Sequence, residues 1–218
     1  MNKSKNIAII SMAGKGVRTN YSIPKQYIEI NGKPIFIYTL QQIIQADIDE
    51  IYLMIQPNYR ELVDSYLTNF FPNNNFIILE GGETAEETRY KALCHGFQPN
   101  DIIIFHDAVR PLVPVQMIND CIKYTKIYSN AIPTILCKDC MIDDDYNKIN
   151  HTNIKRLQVP QGFIYSKILD CYQKTKWEGT PAQTYKNLYN DLYIFDGDEI
   201  NFKVTTNDDI ELLKKILK

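Results

Sequence analysis

Small residues and cations crowd one short stretch, Ser11-Met12-Ala13-Gly14-Lys15-Gly16-Val17-Arg18, directly behind an apolar run. A glycine-bearing loop lets backbone N–H groups approach an anion closely and cup phosphate oxygens. Ala13, Gly14, Lys15 and Gly16 are therefore candidates for holding a phosphorylated ligand. Arg18 and Lys25 would bring the charge a triphosphate needs. The generic phosphate motifs do not fit. A Walker A loop needs Gly-Lys followed by Ser or Thr, and here Gly16 follows Lys15. A dinucleotide fingerprint needs a small residue where Thr19 stands, and a ribose-binding acid roughly where Pro34 stands. Taken alone, the loop reads either as a phosphate nest or as a tight strand-to-loop turn.

Such a loop works only when rigid elements present it. Residues 6–12 form a continuous apolar run, as in a strand buried on both faces. The spacing predicts a helix over 34–46 with Pro34 in its first turn, a strand over 50–56, and a helix over 58–70 capped by Asn58. A strand over 76–79 closes on Gly81-Gly82 and is followed by a helix over 86–93 and a buried strand over 101–105. A helix over 114–128 and a strand over 131–136 continue the alternation. This pattern predicts an open, mostly parallel α/β sheet with helices on both faces. Ligands bind such sheets outside the carboxyl ends of the strands. The first loop, Gly81-Gly82 and residues 107–110 all fall at that edge. From 138 to 158 the pattern breaks into a polar stretch with Asp143-Asp144-Asp145, read as an arm on a single domain spanning 1–218.

The 218 residues are 44% apolar and 23% charged, which suits a soluble globular chain with a sizeable core. Lys plus Arg number 24 against 26 for Asp plus Glu, a net charge of -2. That balance argues against a general binder of nucleic acid or anionic membrane, so local cations must hold any anionic ligand. The N-terminal apolar run is too short for a signal-peptide core, and no stretch approaches a membrane span. A cytoplasmic location is expected. Cys94, Cys121, Cys137, Cys140 and Cys171 lie mostly in apolar segments and are expected to be reduced core thiols. Cys137-Lys138-Asp139-Cys140 is a CxxC with no second pair to complete a metal site.

Further blocks follow the first loop in order over nearly the whole chain. They are Pro24-Lys25-Gln26-Tyr27, Gly32-Lys33-Pro34-Ile35, Gly81-Gly82, His106-Asp107-Ala108-Val109-Arg110-Pro111, Pro160-Gln161-Gly162-Phe163 and Asn201-Phe202-Lys203-Val204-Thr205-Thr206. Together they resemble the methylerythritol-phosphate and ribitol-phosphate cytidylyltransferases. The resemblance implies a Rossmann-like fold of the nucleotide-diphospho-sugar transferase type, with a protruding dimerisation arm. It also implies a reaction, in which CTP and a phosphorylated polyol or sugar give a CDP-alcohol and pyrophosphate. Two mutually repelling anions must be held in contact, so cations and positioning should dominate and no protein nucleophile is needed.

Carried over by position, the resemblance sets Arg18, Lys25 and Lys203 against the charge of the α-phosphoryl group. Asp107 would hold or orient Mg²⁺ beside the substrate, with Asn201 on the ion's other side. Arg110 would face the incoming substrate phosphate. Gly82, through its backbone, and Thr88, through its hydroxyl, would line the cytosine pocket, with Ala13 and Gly14 close to the base or ribose. His106 is expected beneath the site as a satisfied structural histidine.

The acceptor half departs from the family. Val159 stands in place of Thr, and His151 in place of an Arg that reaches across a dimer to the substrate phosphate. Lys155 and Arg156 lie nearby and could supply that charge. Asp139-Cys140 replaces Asp-Thr, Ala85 replaces Arg, and residues 179–184 replace a segment containing Thr-Asp. A site built for particular hydroxyls discriminates strongly, so the expected acceptor is a ribitol-phosphate-like polyol or sugar phosphate for a surface polysaccharide such as capsule or teichoic acid. The methylerythritol-phosphate enzyme of isoprenoid synthesis and a non-catalytic nucleotide-binding protein are the alternatives. The arm, with Met141, Ile142, Ile149 and Ile154, is expected to pair with its twin in a homodimer.

Overall fold

The computed structural model describes residues 3–14, 23–149 and 154–218. Strand β1 (Asn6–Ser11) leads, through a 3-10 turn (Lys25–Tyr27) and a short hairpin of β2 (Glu29–Ile30) and β3 (Lys33–Pro34), into α1 (Ile35–Ile44). Then come β4 (Glu50–Ile55), α2 (Arg60–Phe70), β5 (Ile77–Glu80), α3 (Ala85–Leu93) and β6 (Ile102–Asp107). After α4 (Val115–Tyr128) and β7 (Asn130–Leu136), a small hairpin pairs β8 (Met141–Ile142) with β9 (Lys148–Ile149). The chain returns as β10 (Lys155–Leu157) and β11 (Gln161–Ile164), then α5 (Tyr165–Lys174), α6 (Pro181–Tyr189), β12 (Ile194–Asp196) and α7 (Asn207–Ile216).

The main sheet has the order β10-β7-β11-β6-β1-β4-β5, and β12 also pairs with β7. From β5 through β4 and β1 to β6 every pairing is parallel. In contrast, β11 runs antiparallel between β6 and β7, and β10 runs antiparallel to β7. The mostly parallel α/β sheet matches the sequence reading; its antiparallel insert was not foreseen.

Unbroken apolar runs suit the central strands because successive side chains alternate between two covered faces. Ala8, Ile10, Leu53 and Ile104 pack with Phe36 and Leu40 of α1, Val63 of α2 and Ile118 of α4. Ile7, Ile9, Met54, Ile103 and Phe105 pack with Leu93 of α3, Ile168 of α5 and Tyr185 of α6. Burying each such large side chain contributes about 1.5–3 kcal/mol. A third cluster seats Ile210 and Leu213 of α7 against Ile28, Val109 and Val204.

Several expectations need correction. Asn58 does not cap a helix: it lies inside a 3-10 turn (Pro57–Tyr59), and α2 starts at Arg60 without a side-chain cap. Thr84 caps α3 by accepting from the N–H of Glu87, which sets its start at Ala85. Within the 138–158 arm, the returning leg pairs with the sheet edge as β10. Its polar sequence hid it: Lys155 and Arg156 are exposed while the backbone pairs with β7. Only Cys121 and Cys171 are buried, whereas Cys94 and Cys140 are exposed. Among the described residues no helix is long and apolar enough to cross a membrane.

Candidate active site

Strand order reverses beside β1: the chain moves outward to β4 and β5, then returns with β6 on the opposite side. Such a switch point opens a crevice outside the carboxyl ends of the strands. Ser11 and Asp107, the last residues of β1 and β6, are register partners there. Both line a cavity of about 270 Å³, together with Ala13, Gly14, Lys25, Gly82, Thr88 and Lys203. Lys15, Gly16, Arg18 and His151 lie outside the described residues.

The described part of the first loop is held from behind. Gln26 Nε2 donates to the carbonyls of Met12 and Gly14 at 2.6 and 3.0 Å. Gln56 Nε2 donates to the Ala13 carbonyl at 2.9 Å. Three successive carbonyls are thereby fixed, which sets the orientation of the backbone facing the cavity. Sequence reasoning gave neither glutamine a role. Gln56 directly follows the buried strand β4, and a long amide at that edge was the available signal.

Glycine is required where the loop after β5 meets the loop after β1. A Cβ on Gly81 would collide with Ala13 Cβ, and one on Gly82 would come within 2.6 Å of Glu87 Cβ. Thr88 Oγ1 accepts from the Gly82 N–H at 2.9 Å and donates to the Thr84 carbonyl at 2.8 Å. Thr88 is on the cavity wall, and its hydroxyl is engaged with its own loop. It shapes the pocket through Gly82.

Opposite these loops, Lys203 Nζ lies 3.0 Å from Asp107 Oδ2. Arg110 Nε is 3.4 Å from the same oxygen, and Arg110 Nη1 donates to the Asn201 carbonyl at 2.7 Å. A backbone bond from Val204 N–H to the Val109 carbonyl, 2.9 Å, binds the segment carrying Lys203 to the loop after β6. Burial raises the pKa of Asp107, but Lys203 and Arg110 outweigh it and hold the carboxyl well below the usual carboxylate range. His106 is buried, and among the described residues neither ring nitrogen has a hydrogen-bond partner. Burial lowers its pKa to about 4, with Asp107 only partly opposing. It is a neutral structural histidine, though not the satisfied one expected.

Arg110 and Lys203 also line a second cavity of about 280 Å³, with Arg156, Gln158, Glu199 and Phe202. Lys203 is therefore common to both cavities. Arg156 sits at the rim, paired with Glu199 at 2.8 Å. Asn201 reaches neither cavity. Its side chain is wholly buried, with Nδ2 donating to the Val159 carbonyl at 2.7 Å. The expectation that Asn201 flanks a metal ion is therefore not met. Val159 also lines neither cavity.

Among the described residues no three His, Cys, Asp or Glu side chains gather as a metal cage. Mg²⁺ in nucleotide sites commonly takes phosphate oxygens, waters and one or two carboxylates. Asp107, on the wall beside the cations, fits that small role.

A glycine-bearing loop and convergent cations at the switch point of an α/β sheet make a pocket suited to a phosphorylated ligand. A family profile for 2-C-methyl-D-erythritol 4-phosphate cytidylyltransferase matches residues 6–218. Relatives bearing that name include a Clostridium beijerinckii protein, 31% identical over 97% of this chain and 97% of its own. Another, from Clostridium botulinum, is 32% identical over 99% of this chain and 98% of its own. The crystal structure of 4-diphosphocytidyl-2C-methyl-D-erythritol synthase from Anaerococcus prevotii shares the fold, with a TM-score of 0.84 at 24% identity over 98% of this chain and 96% of that one. The chain belongs to the 2-C-methyl-D-erythritol 4-phosphate cytidylyltransferase family, and it is a cytidylyltransferase.

Proposed function

We propose that the protein transfers the cytidylyl group of CTP to the phosphate of 2-C-methyl-D-erythritol 4-phosphate. An oxygen of the acceptor phosphate bonds to the α-phosphorus, the bond to the bridging oxygen breaks, and pyrophosphate leaves. The observation that carries the reading is Lys203 on the wall of both cavities. An anion in the second cavity, beside Arg110 and Arg156, would meet a nucleotide in the first at that ammonium. Lys25 and Lys203 would oppose charge growing on the α-phosphoryl group, an effect worth about 10²–10³ in rate for a well-placed donor. Asp107, kept ionised, holds Lys203 and Arg110 in register with each other.

The acceptor follows the family profile and the two Clostridium relatives, whose names carry 2-C-methyl-D-erythritol 4-phosphate. The ribitol-like acceptor and surface-polysaccharide role expected from the sequence find no support there. Mg²⁺ bound with the triphosphate, with Asp107 as its protein ligand, would neutralise charge on the phosphates. The β8–β9 hairpin exposes Met141, Ile142 and Tyr146, and pairing with a second copy would cover them.

Pyrophosphate release over a panel of polyol phosphates, with CTP and with the other nucleoside triphosphates, tests the reading. It is supported by highest catalytic efficiency for CTP with methylerythritol phosphate. Preference for ribitol 5-phosphate overturns the acceptor.

A further inference from the structure

We propose that Glu199 is a positioning residue for acceptor binding: it fixes Arg156 at the rim of the second cavity and ties the loop carrying Lys203 to both legs of the arm. The proposal rests on the reading that this cavity receives the acceptor phosphate.

Glu199 is the acid among the cations Arg110, Arg156 and Lys203 that line the cavity. Its carboxylate is divided between two partners. Oε2 takes Arg156 Nη2 at 2.8 Å, and Oε1 takes Lys138 Nζ at 3.1 Å. Lys138 lies between β7 and β8, on the outgoing leg of the arm, whereas Arg156 lies on β10, the returning leg. Two residues beyond Arg156, on the same side of an extended chain, Gln158 grips the same loop. Its Nε2 donates to the Asp198 carbonyl at 2.7 Å, and its Oε1 accepts from the Asp198 N–H at 3.0 Å. The approach is close enough that a Cβ on Gly197 would collide with Gln158 Oε1. Asn201 adds its bond to the Val159 carbonyl. The loop zipped in this way delivers Lys203 to the junction of the two cavities.

A carboxylate beside a phosphate pocket has two opposed effects. As a counter-charge alone it weakens the pull on an incoming anion, and removing it would tighten acceptor binding. As a tether it holds a long, half-exposed arginine in one geometry before the phosphate arrives, so ordering Arg156 costs less on binding. The division of its oxygens between the two legs, and its seat in the Lys203 loop, point to the tether.

The test compares Glu199→Gln, Arg156→Ala and the double variant in the full chain, with KM for acceptor and for CTP measured separately. Glu199 is 46% exposed at its side chain, and thermal melts check that the variants fold. Glu199→Gln should raise the acceptor KM about three- to fivefold, the upper part of the range of an exposed ion pair, with the CTP KM changed less than about twofold. The effect should shrink in about 0.5 M salt, which screens exposed charges. On the Arg156→Ala background the same change should add less than about twofold, since the residue it positions is gone. An unchanged or lower acceptor KM, equal rises in both KM values, or full additivity overturns the proposal. The wild type is run first with methylerythritol phosphate and ribitol 5-phosphate. Turnover of only the second overturns the acceptor reading and moves the Glu199 comparison to that substrate; turnover of neither overturns both.

Discussion

Lys203, which lines both cavities, forms a 3.0 Å ion pair with Asp107 on the wall of the first. The lysine comes from the segment before α7, and the carboxylate from the tip of β6. Removing the ammonium removes charge stabilisation that grows in the transition state. Lys203→Ala is expected to lower kcat about 100-fold, with a smaller change in CTP affinity, and Lys25→Ala to behave likewise. Steady-state kinetics alongside nucleotide binding by calorimetry separates the two effects. Near-normal kcat with only a raised KM would remove either lysine from its proposed role.

Gly81 is the close-approach point between the loops after β1 and β5. Gly81→Ala would drive a methyl into Ala13 Cβ, an overpacking that typically costs about 1–3 kcal/mol. Because Ala13 lines the first cavity, where CTP is proposed to bind, the variant should show both a lower melting temperature and a raised CTP KM. An alanine variant with wild-type values for both would show that the two loops yield freely.

The buried His106 makes stability depend on pH. Its folded pKa is lowered by burial to about 4. Above about pH 6.5, the ordinary histidine value, it is neutral in both states and contributes nothing. Between there and about pH 4 the unfolded chain takes up a proton that the folded chain refuses, so stability falls as pH falls. At pH 5 the loss relative to pH 7.5 is about 2 kcal/mol from this group. Urea unfolding of wild type and His106→Leu at the two pH values measures it. Equal pH slopes would contradict the assignment.

The grouping of one cavity wall was legible in the sequence. Glycines at strand ends read equally as tight turns, but the ordered blocks named Ala13, Gly14, Lys25, Gly82 and Thr88 together, and these do share one wall. What the sequence could not convey was the direction of a side chain. Asn201 sits in the right block, yet its amide turns inward to Val159, and Thr88 spends its hydroxyl on Gly82 and Thr84. The parallel core strands were readable because burial on both faces makes them continuously apolar. Strands β10 and β11 were not, since their pairings with β6 and β7 are long-range and β10 is a polar edge. Glu199 carried no local signal at all; its meaning lies in Lys138 and Arg156, which only the fold brings to it.

The exposed Met141, Ile142 and Tyr146 of the β8–β9 hairpin bear on assembly. A homodimer is expected by light scattering at micromolar concentration, and Ile142→Asp with Tyr146→Asp should shift it toward monomer. A monomeric, fully active wild type would show that the hairpin has no such role.

The central claim is transfer of a cytidylyl group from CTP to methylerythritol phosphate. Phosphorus NMR of the purified protein with both substrates and Mg²⁺ observes it directly. The expected result is loss of the acceptor's monophosphate signal, with appearance of a coupled diphosphate pair and of pyrophosphate in equal amounts. An unchanged monophosphate signal from methylerythritol phosphate, under conditions where ribitol 5-phosphate is consumed or where CTP is only bound, would contradict it.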